Sequence, residues 1–232
     1  MIILAGLVLG ACKINTDVNQ VVAIEIVLPD SGRVELPDTF LPTGRALNGL
    51  GDSVGGQQLF WTSLDTAIIA VLDSTTGVTL TKTVGIGRLQ ARAGNLFSNP
   101  QNVTVLAHLD SMNALSALRD TIDLTPDSVG KVDSISTPLQ IAAFGTGGVP
   151  SGRRVVFTAA TFPSGDSLVT FVPNDSVLTT ATSTGAVGQT QLVVRPHVGT
   201  PPDSVLVSAT MKRLDGTPIP GSPVSFLVVI TP

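Results

Sequence analysis

Residues that could form a hydrolytic site are few in this chain. Two segments place a serine where a nucleophile could lie: Gly51-Asp52-Ser53-Val54-Gly55 and Gly165-Asp166-Ser167-Leu168. The first spacing works when a strand precedes the serine and a helix follows it, but here a strand-like segment follows. The second needs a histidine late in an α/β domain, and neither His108 nor His197 has that setting. We therefore expect neither serine to be catalytic and the chain not to be an enzyme.

The metal-binding residue types are equally sparse. The chain has one cysteine and two histidines, with no His-x-x-x-His pair, so we expect no zinc site and no cofactor. A calcium site at the junction of two domains, built from Asp120, Asp123 or Asp127, is the alternative that the residues leave open. No EF-hand spacing accompanies these aspartates, which more often close turns.

The N-terminal segment is apolar and uncharged from Met1 to Ala11, and it is followed directly by Cys12, the single cysteine. A helix needs about 20 apolar residues to span a bilayer, so this run is too short. Its length is typical of the apolar core of a secretory signal peptide. The alternative from the residues alone is a buried first strand over 2–10, with Cys12 as a small core residue.

The sequence Leu9-Gly10-Ala11-Cys12 resembles the lipobox of bacterial lipoproteins. The resemblance implies that residues 1–11 are a signal peptide, that a diacylglycerol is attached to the Cys12 sulfur, and that residues 12–20 form a tether. Two or more lipid chains anchor a protein stably, since each buried methylene contributes about 0.8 kcal/mol. No basic residue opens the apolar run, and a translation start upstream of Met1 would supply one. Lys13 replaces the Asp that retains lipoproteins at the inner membrane, so we expect an outer-membrane or cell-surface location in the cell envelope.

Length and composition favour two folded, strand-rich domains. A β-sandwich usually needs about 100 residues, and the chain has 232, of which 43% are apolar and 13% charged. The net charge is −4 and the basic residues are scattered, so no basic stripe is present to bind a nucleic-acid backbone. We expect no nucleic-acid partner.

Short apolar or alternating segments recur along the chain, separated by Gly, Pro, Asn and Asp, which predicts an all-β protein. The predicted strands are Val21–Leu28, Gln58–Thr62, Ala67–Leu72, Val78–Val84, Arg88–Ala93, Asn102–Ala107, Pro138–Phe144, Arg153–Ala159, Ser167–Val172, Thr190–Arg195, Ser204–Met211 and Val224–Ile230.

The first half of the chain resembles group 2 bacterial immunoglobulin-like domains. The matching segments are Trp61-Thr62-Ser63-Leu64-Asp65, Ala67 to Asp73, Gly77-Val78 and Gly85 to Ala91. The resemblance implies an immunoglobulin-like domain over residues 21–107. Trp61 would then be a large buried side chain between two sheets, with Ile69 and Val71 on one face of their strand.

The second half resembles invasin-like group 1 bacterial immunoglobulin-like domains over residues 126–232. The matching segments are Leu139 to Phe144, the Gly/Pro loop and strand from Val149 to Phe157, and Thr180 to Val194. Residues 108–125 would be a linker or a first strand. The two resemblances together imply two tandem antiparallel immunoglobulin-like β-sandwiches behind a lipoprotein signal peptide.

Anchor and fold together predict a cell-envelope structural or adhesive lipoprotein. Its partners would be the membrane, through lipidated Cys12, and a surface protein or carbohydrate. The sequence indicates no residues for that contact. The alternative is a secreted or envelope hydrolase, or an enzyme-accessory module, centred on Ser53 or Ser167.

Overall fold

The computed structural model describes residues 20–124, 134–164, 168–183, 185–195 and 200–231. Cys12, Asp127, Ser167 and His197 lie outside these described residues, as do the signal segment and most of the tether. A search of the described residues for a helix with the length and apolarity of a membrane span finds none.

Residues 20–106 fold into short strands joined by turns. The strands are β1 (Ala23–Val27), β2 (Arg33–Glu35), β3 (Thr39–Phe40), β4 (Thr43–Leu47), β5 (Phe60–Ser63), β6 (Ile69–Val71), β7 (Thr79–Thr81), β8 (Gly85–Ala93), β9 (Leu96–Phe97) and β10 (Gln101–Leu106). A 3₁₀ turn, Pro29–Gly32, leads into β2. The largest sheet has the order β2-β10-β8-β5, with β9 added to β8; β3-β7-β6 and β1-β4 form the other sheets.

The core of this first sandwich is built around Trp61, as the sequence predicts. Trp61 is 6% exposed and belongs to one cluster with Ile69, Leu89 and Val103. Its indole fits closely over Gly77, where φ is +85°, and a Cβ atom there would lie 2.8 Å from Trp61 Nε1. Only glycine combines that backbone conformation with that close approach.

The second half of the chain forms longer strands. They are β11 (His108–Ala114), β12 (Arg119–Asp123), β13 (Ser134–Ile135), β14 (Leu139–Thr146), β15 (Arg154–Phe162), β16 (Val169–Val172), β17 (Ser176–Leu178), β18 (Thr180–Thr182), β19 (Gly185–Val194), β20 (Ser204–Met211) and β21 (Val224–Thr231). One sheet has the order β11-β14-β19-β13, with β16 and β18 also on β19, and the other has the order β12-β21-β20-β15-β17. Phe157, Phe226, Leu109 and Met112 are fully buried between them.

The predicted fold class, two tandem β-sandwiches, is confirmed. Each sandwich has its own hydrophobic core, and the two cores share no residue. Wherever the chain is described, strand pairing is antiparallel except for β2 with β10 and β12 with β21. Each sandwich therefore places an early strand parallel to its last strand.

Several strands appear where the sequence indicated none. The stretch between Leu28 and Gln58 contains β2, β3 and β4, which are short and interrupted by Pro, Gly and charged residues. Residues 108–125, expected to be a linker or a first strand, contain β11 and β12, and these pair with β14 and β21 of the second sandwich. Packing against neighbouring strands thus outweighs weak local propensity.

The turn between β6 and β7 should show a pH effect. Asp73 accepts hydrogen bonds from Thr75 Oγ1 at 2.7 Å, from Thr75 N at 2.8 Å and from Thr76 Oγ1 at 2.9 Å. The Thr75 hydroxyl is the largest of the causes that lower the pKa of Asp73 from 3.8 to about 2. Because the folded-state pKa is depressed, the stabilisation is present above the unfolded value near 3.8. It is lost as the pH falls towards 2.

We therefore expect the Asp73 carboxyl to titrate near pH 2 in an NMR experiment. Replacement of Thr75 by Val removes the hydroxyl donor, so the pKa should rise towards its ordinary value. Equal pKa values in the wild type and in Thr75→Val would show that the turn does not hold the carboxylate as described.

Candidate functional site at the domain junction

The two sandwiches meet without a spacer. Ala107 alone separates β10 from β11, and it is buried. Leu36 of the first sandwich lies against Gly147 of the second, where a Cβ atom would be only 2.5 Å from Leu36 Cδ1. Gly148 lies close to Val84 and to Ala107. Small residues in the β14–β15 loop therefore let the two domains pack directly.

Glu35 lies at the centre of this junction. It is the last residue of β2, which pairs with β10 so that Glu35 is opposite Leu106, next to the crossing into β11. Its side chain is 2% exposed. Glu35 Oε1 accepts hydrogen bonds from Arg153 Nη2 and, at 2.9 Å, from the backbone N–H of Leu214. An acidic residue of the first sandwich is thus satisfied by donors from two loops of the second.

Arg153 is the principal partner of Glu35 and is equally buried, at 2% exposure. It follows the Gly/Pro loop and precedes β15, and its backbone is fixed by two hydrogen bonds with Thr179. A buried charge is tolerated only when it is paired, and removal of one partner from a buried pair usually costs about 3–5 kcal/mol. Moving the sandwiches apart would leave both charges without their partner, so the ion pair stabilises the relative position of the sandwiches.

Further polar contacts cross the same junction. Arg33 Nη2 donates to the Gly152 carbonyl at 3.1 Å, which again joins the first sandwich to the β14–β15 loop. Arg213 Nε donates to the Leu109 carbonyl at 3.0 Å, so the β20–β21 loop is held to the start of β11. The first of these bonds adds a second polar link between the sandwiches, and the second fixes a loop beside it.

His108 lies beside the ion pair. Its Nδ1 is 3.5 Å from Glu35 Oε2, and its Nε2 is 3.7 Å from Asp110 Oδ1. Its side chain is partly exposed, and Nδ1 is buried without a hydrogen-bond partner in the described structure. Two carboxylates, those of Glu35 and Asp110, thus flank the His108 imidazole at the junction.

Two clefts open at the junction, and Arg33 and Leu214 line both. The first has a volume of about 500 Å³ and is lined by Asp30, Asp38 and Asp215 as well as by the edge of Glu35. Hydrogen bonds from Thr217, above all from its hydroxyl, lower the pKa of Asp215, and the nearby charges of Arg213 and His108 lower it further. The Asp215 carboxylate therefore stays charged near neutral pH.

The second cleft is cationic. It has a volume of about 710 Å³, and its walls include five basic residues. These are Arg33, Arg153, Arg154, Lys212 and Arg213. No carboxylate lines it in the described structure; Glu35 pairs with Arg153 behind the wall, and Asp215 of the first cleft lies near Arg213.

The serine predicted to be non-catalytic in the first sandwich is exposed. Ser53 pairs with Leu47 in an isolated antiparallel bridge and does not lead into a helix. No hydrogen bond joins it to His108 in the residues that the structure describes. Within the described residues, Ser53 therefore has neither the following helix nor the histidine that the motif requires.

Of the three aspartates of the calcium alternative, Asp120 and Asp123 lie within the described residues and Asp127 does not. Asp123 accepts a hydrogen bond from Thr231 Oγ1, at the end of β21. Because β21 runs antiparallel to β20, and β20 ends near Leu214 at the junction, this end of β21 is remote from the junction. Asp120 accepts hydrogen bonds from Thr137 N and Oγ1. Among the described residues, no group of three or more His, Cys, Asp or Glu side chains is arranged to hold a metal ion.

Sequence reasoning missed both members of the junction pair. Glu35 lies between Val34 and Leu36, but Arg33 and Asp38 flank this short segment, so the local sequence gives no signal of a buried ion pair. Arg153-Arg154 directly precedes a strand, and the two arginines diverge, with one buried and one exposed.

Comparisons with known proteins give structural similarities at low sequence identity. No family model matches the sequence, and no curated protein matches it at a significant level. The Yersinia pseudotuberculosis adhesin InvE is 14% identical with a TM-score of 0.39, covering 89% of this chain and 58% of that one. The Escherichia coli adhesin FdeC is 16% identical with a TM-score of 0.38, covering 89% and 64%. Domains 4 and 5 of the S-layer protein SbsC are 11% identical with a TM-score of 0.31, covering 82% and 91%. The fold assigned above rests on the strand pairing and the two cores of this chain itself.

Proposed function

We propose that the chain is a structural or adhesive lipoprotein of the bacterial cell envelope, anchored through Cys12 and presenting two immunoglobulin-like sandwiches to a protein or carbohydrate partner. The observation that carries the proposal is the domain junction. With Ala107 as the only residue between the sandwiches and the Glu35–Arg153 pair buried across them, the tandem behaves as one stiff spacer.

A stiff spacer suits a role at a surface. Flexibly linked domains sample many orientations and lose entropy when they bind, whereas docked domains have already lost that freedom. A tandem fixed at its junction therefore holds a contact face at a defined distance from its anchor. The names of the two adhesins and the S-layer protein describe roles of the same kind.

Lipid attachment is the first test of this function. We expect intact-mass analysis of the protein from membranes to show a species that begins at Cys12 and carries two or more acyl chains. Replacement of Cys12 by Ala should abolish acylation and move the protein from the membrane to the soluble fraction, since the acyl chains supply the affinity for the bilayer. A membrane-bound, unacylated wild-type protein would contradict the anchor.

The adhesive role requires a separate test. Cells that produce the wild-type chain should attach to envelope glycans or host-surface material better than cells without it. Cells that produce the Cys12→Ala chain should lose that advantage. Purified protein should also be assayed for ester hydrolysis, because activity that disappears in Ser53→Ala or in Ser167→Ala would contradict a non-enzymatic role.

A further inference from the structure

The cationic cleft has the properties of a binding site for an anion. Its volume, about 710 Å³, is within the range of ligand pockets in proteins. Of the 13 basic residues in a chain with net charge −4, five line this one cleft. Arg33 comes from the first sandwich and the other four from the second, so the junction itself assembles the cluster.

Two of these cations have no counter-charge. Arg154 and Lys212 are exposed, and no hydrogen bond or ion pair from either is found within the described part of the chain. The β15–β20 ladder ends at the pair Val155–Met211, and Arg154 and Lys212 are the residues next to this pair on the two strands. Both line the cleft, and like charges that lie close together on a sheet repel each other. An anion held between them would remove that repulsion.

Arg153 adds an independent observation. It lines the same cleft, is 2% exposed, and its Nη1 is buried with no hydrogen-bond partner among the described residues. The Glu35 carboxylate engages only the other terminal nitrogen. A donor nitrogen without a protein partner thus lies behind the wall of the cleft, and arginine forks match the oxygens of carboxylate, sulfate and phosphate groups.

The floor of the cleft indicates which class of molecule bears the anionic group. Val156, Leu178 and Thr210 lie on the same sheet face as Arg154, which gives a flat, mostly apolar floor with one hydroxyl. The backbones of β20 and β15 are paired on both sides, so among these strands only the edge strand β17 could add an extended peptide. A sugar ring can place its C–H face on such a floor while its acidic group meets the cations.

We propose that this cleft binds an acidic saccharide, with Arg154 and Lys212 as the residues that contact its anionic group. This inference rests on the proposed adhesive role and names the class of its ligand. The direct test is an NMR titration of the full chain in a neutral detergent with trigalacturonate, with uncharged galactotriose and triglutamate as comparison probes.

We expect trigalacturonate to shift the backbone amide signals of Arg154 and Lys212, and galactotriose not to. Arg154→Gln and Lys212→Gln should each weaken binding about ten-fold, because each removes a charge-assisted contact. The matched control is Arg119→Gln, which removes the same charge from an exposed position on β12 and should leave binding unchanged. Added salt should weaken binding.

Three results would overturn the inference: no shift of the cleft signals with trigalacturonate, equal binding of triglutamate, or an equal loss of binding in Arg119→Gln. The adhesive role is tested separately, by cell attachment. Cells whose attachment survives the Arg154→Gln/Lys212→Gln double replacement would contradict the cleft as the adhesive site while leaving adhesion intact. Attachment that is absent in the wild type would contradict adhesion even if the purified chain binds trigalacturonate.

Discussion

Replacement of Glu35 by Gln should lower the free energy of unfolding by about 3–5 kcal/mol, the usual cost of leaving one charge of a buried pair without its partner. Arg153 would remain buried at the junction with its positive charge uncompensated. The side-chain oxygen of Gln could still accept the hydrogen bond from the backbone N–H of Leu214, so the loss of stability would report on the missing charge alone. Urea unfolding followed by Trp61 fluorescence reports on the first sandwich, and far-ultraviolet circular dichroism reports on both.

The matched control is an exposed ion pair in the first sandwich. Glu25 binds Arg45 between β1 and β4, and both side chains are about half exposed. Because exposed pairs contribute only about 0–1 kcal/mol, Glu25→Gln should change stability little. The double replacement Glu35→Leu/Arg153→Met should recover most of the loss, since apolar side chains can replace a buried pair. Equal effects of Glu35→Gln and Glu25→Gln would contradict a buried, coupled junction.

Replacement of Trp61 by Ala should destabilise the first sandwich by about 3–5 kcal/mol, the range found when a large buried aromatic side chain is truncated. Trp61 packs between Gly77 and Gly44, and these glycines leave no side chain that could fill the cavity. The second sandwich has a separate core, so its own unfolding should change little.

Hydrogen exchange measured by mass spectrometry tests this prediction, because it reports on each sandwich separately. Peptides from β5 and β8 should lose protection in Trp61→Ala, while peptides from β15 and β20 should retain it. Phe97→Ala is the control: Phe97 lies on β9, next to β8, but is 56% exposed. A similar loss of protection in Phe97→Ala, or an equal loss in both sandwiches, would contradict a local core around Trp61.

The fold class could be predicted from the sequence because the repeating apolar segments and turn residues are local signals. Ser204–Met211 was predicted with its observed bounds, and Trp61 was correctly expected to be buried. The bounds of strands such as β2 and β12 could not be predicted from the sequence. Each pairs with a last strand far away in the chain, and that pairing, not the local sequence, determines where it forms.

The junction site could not be predicted for the same physical reason. Glu35 and Arg153 are separated by 118 positions, and neither residue type indicates burial by itself. Only the docking of two separately folded sandwiches brings them together. The cationic cleft depends on that docking as well, since Arg33 and Arg154 line it from different domains.

The central claim, that the two sandwiches form one stiff unit, is tested most directly by a distance distribution between them. Spin labels placed at exposed Leu50 in the first sandwich and at exposed Leu118 in the second, in a Cys12→Ser background, allow a pulsed electron spin resonance measurement. We expect one narrow distance distribution for the chain with Glu35 and a broader one for Glu35→Gln. A broad distribution already present with Glu35 intact would contradict the stiff tandem.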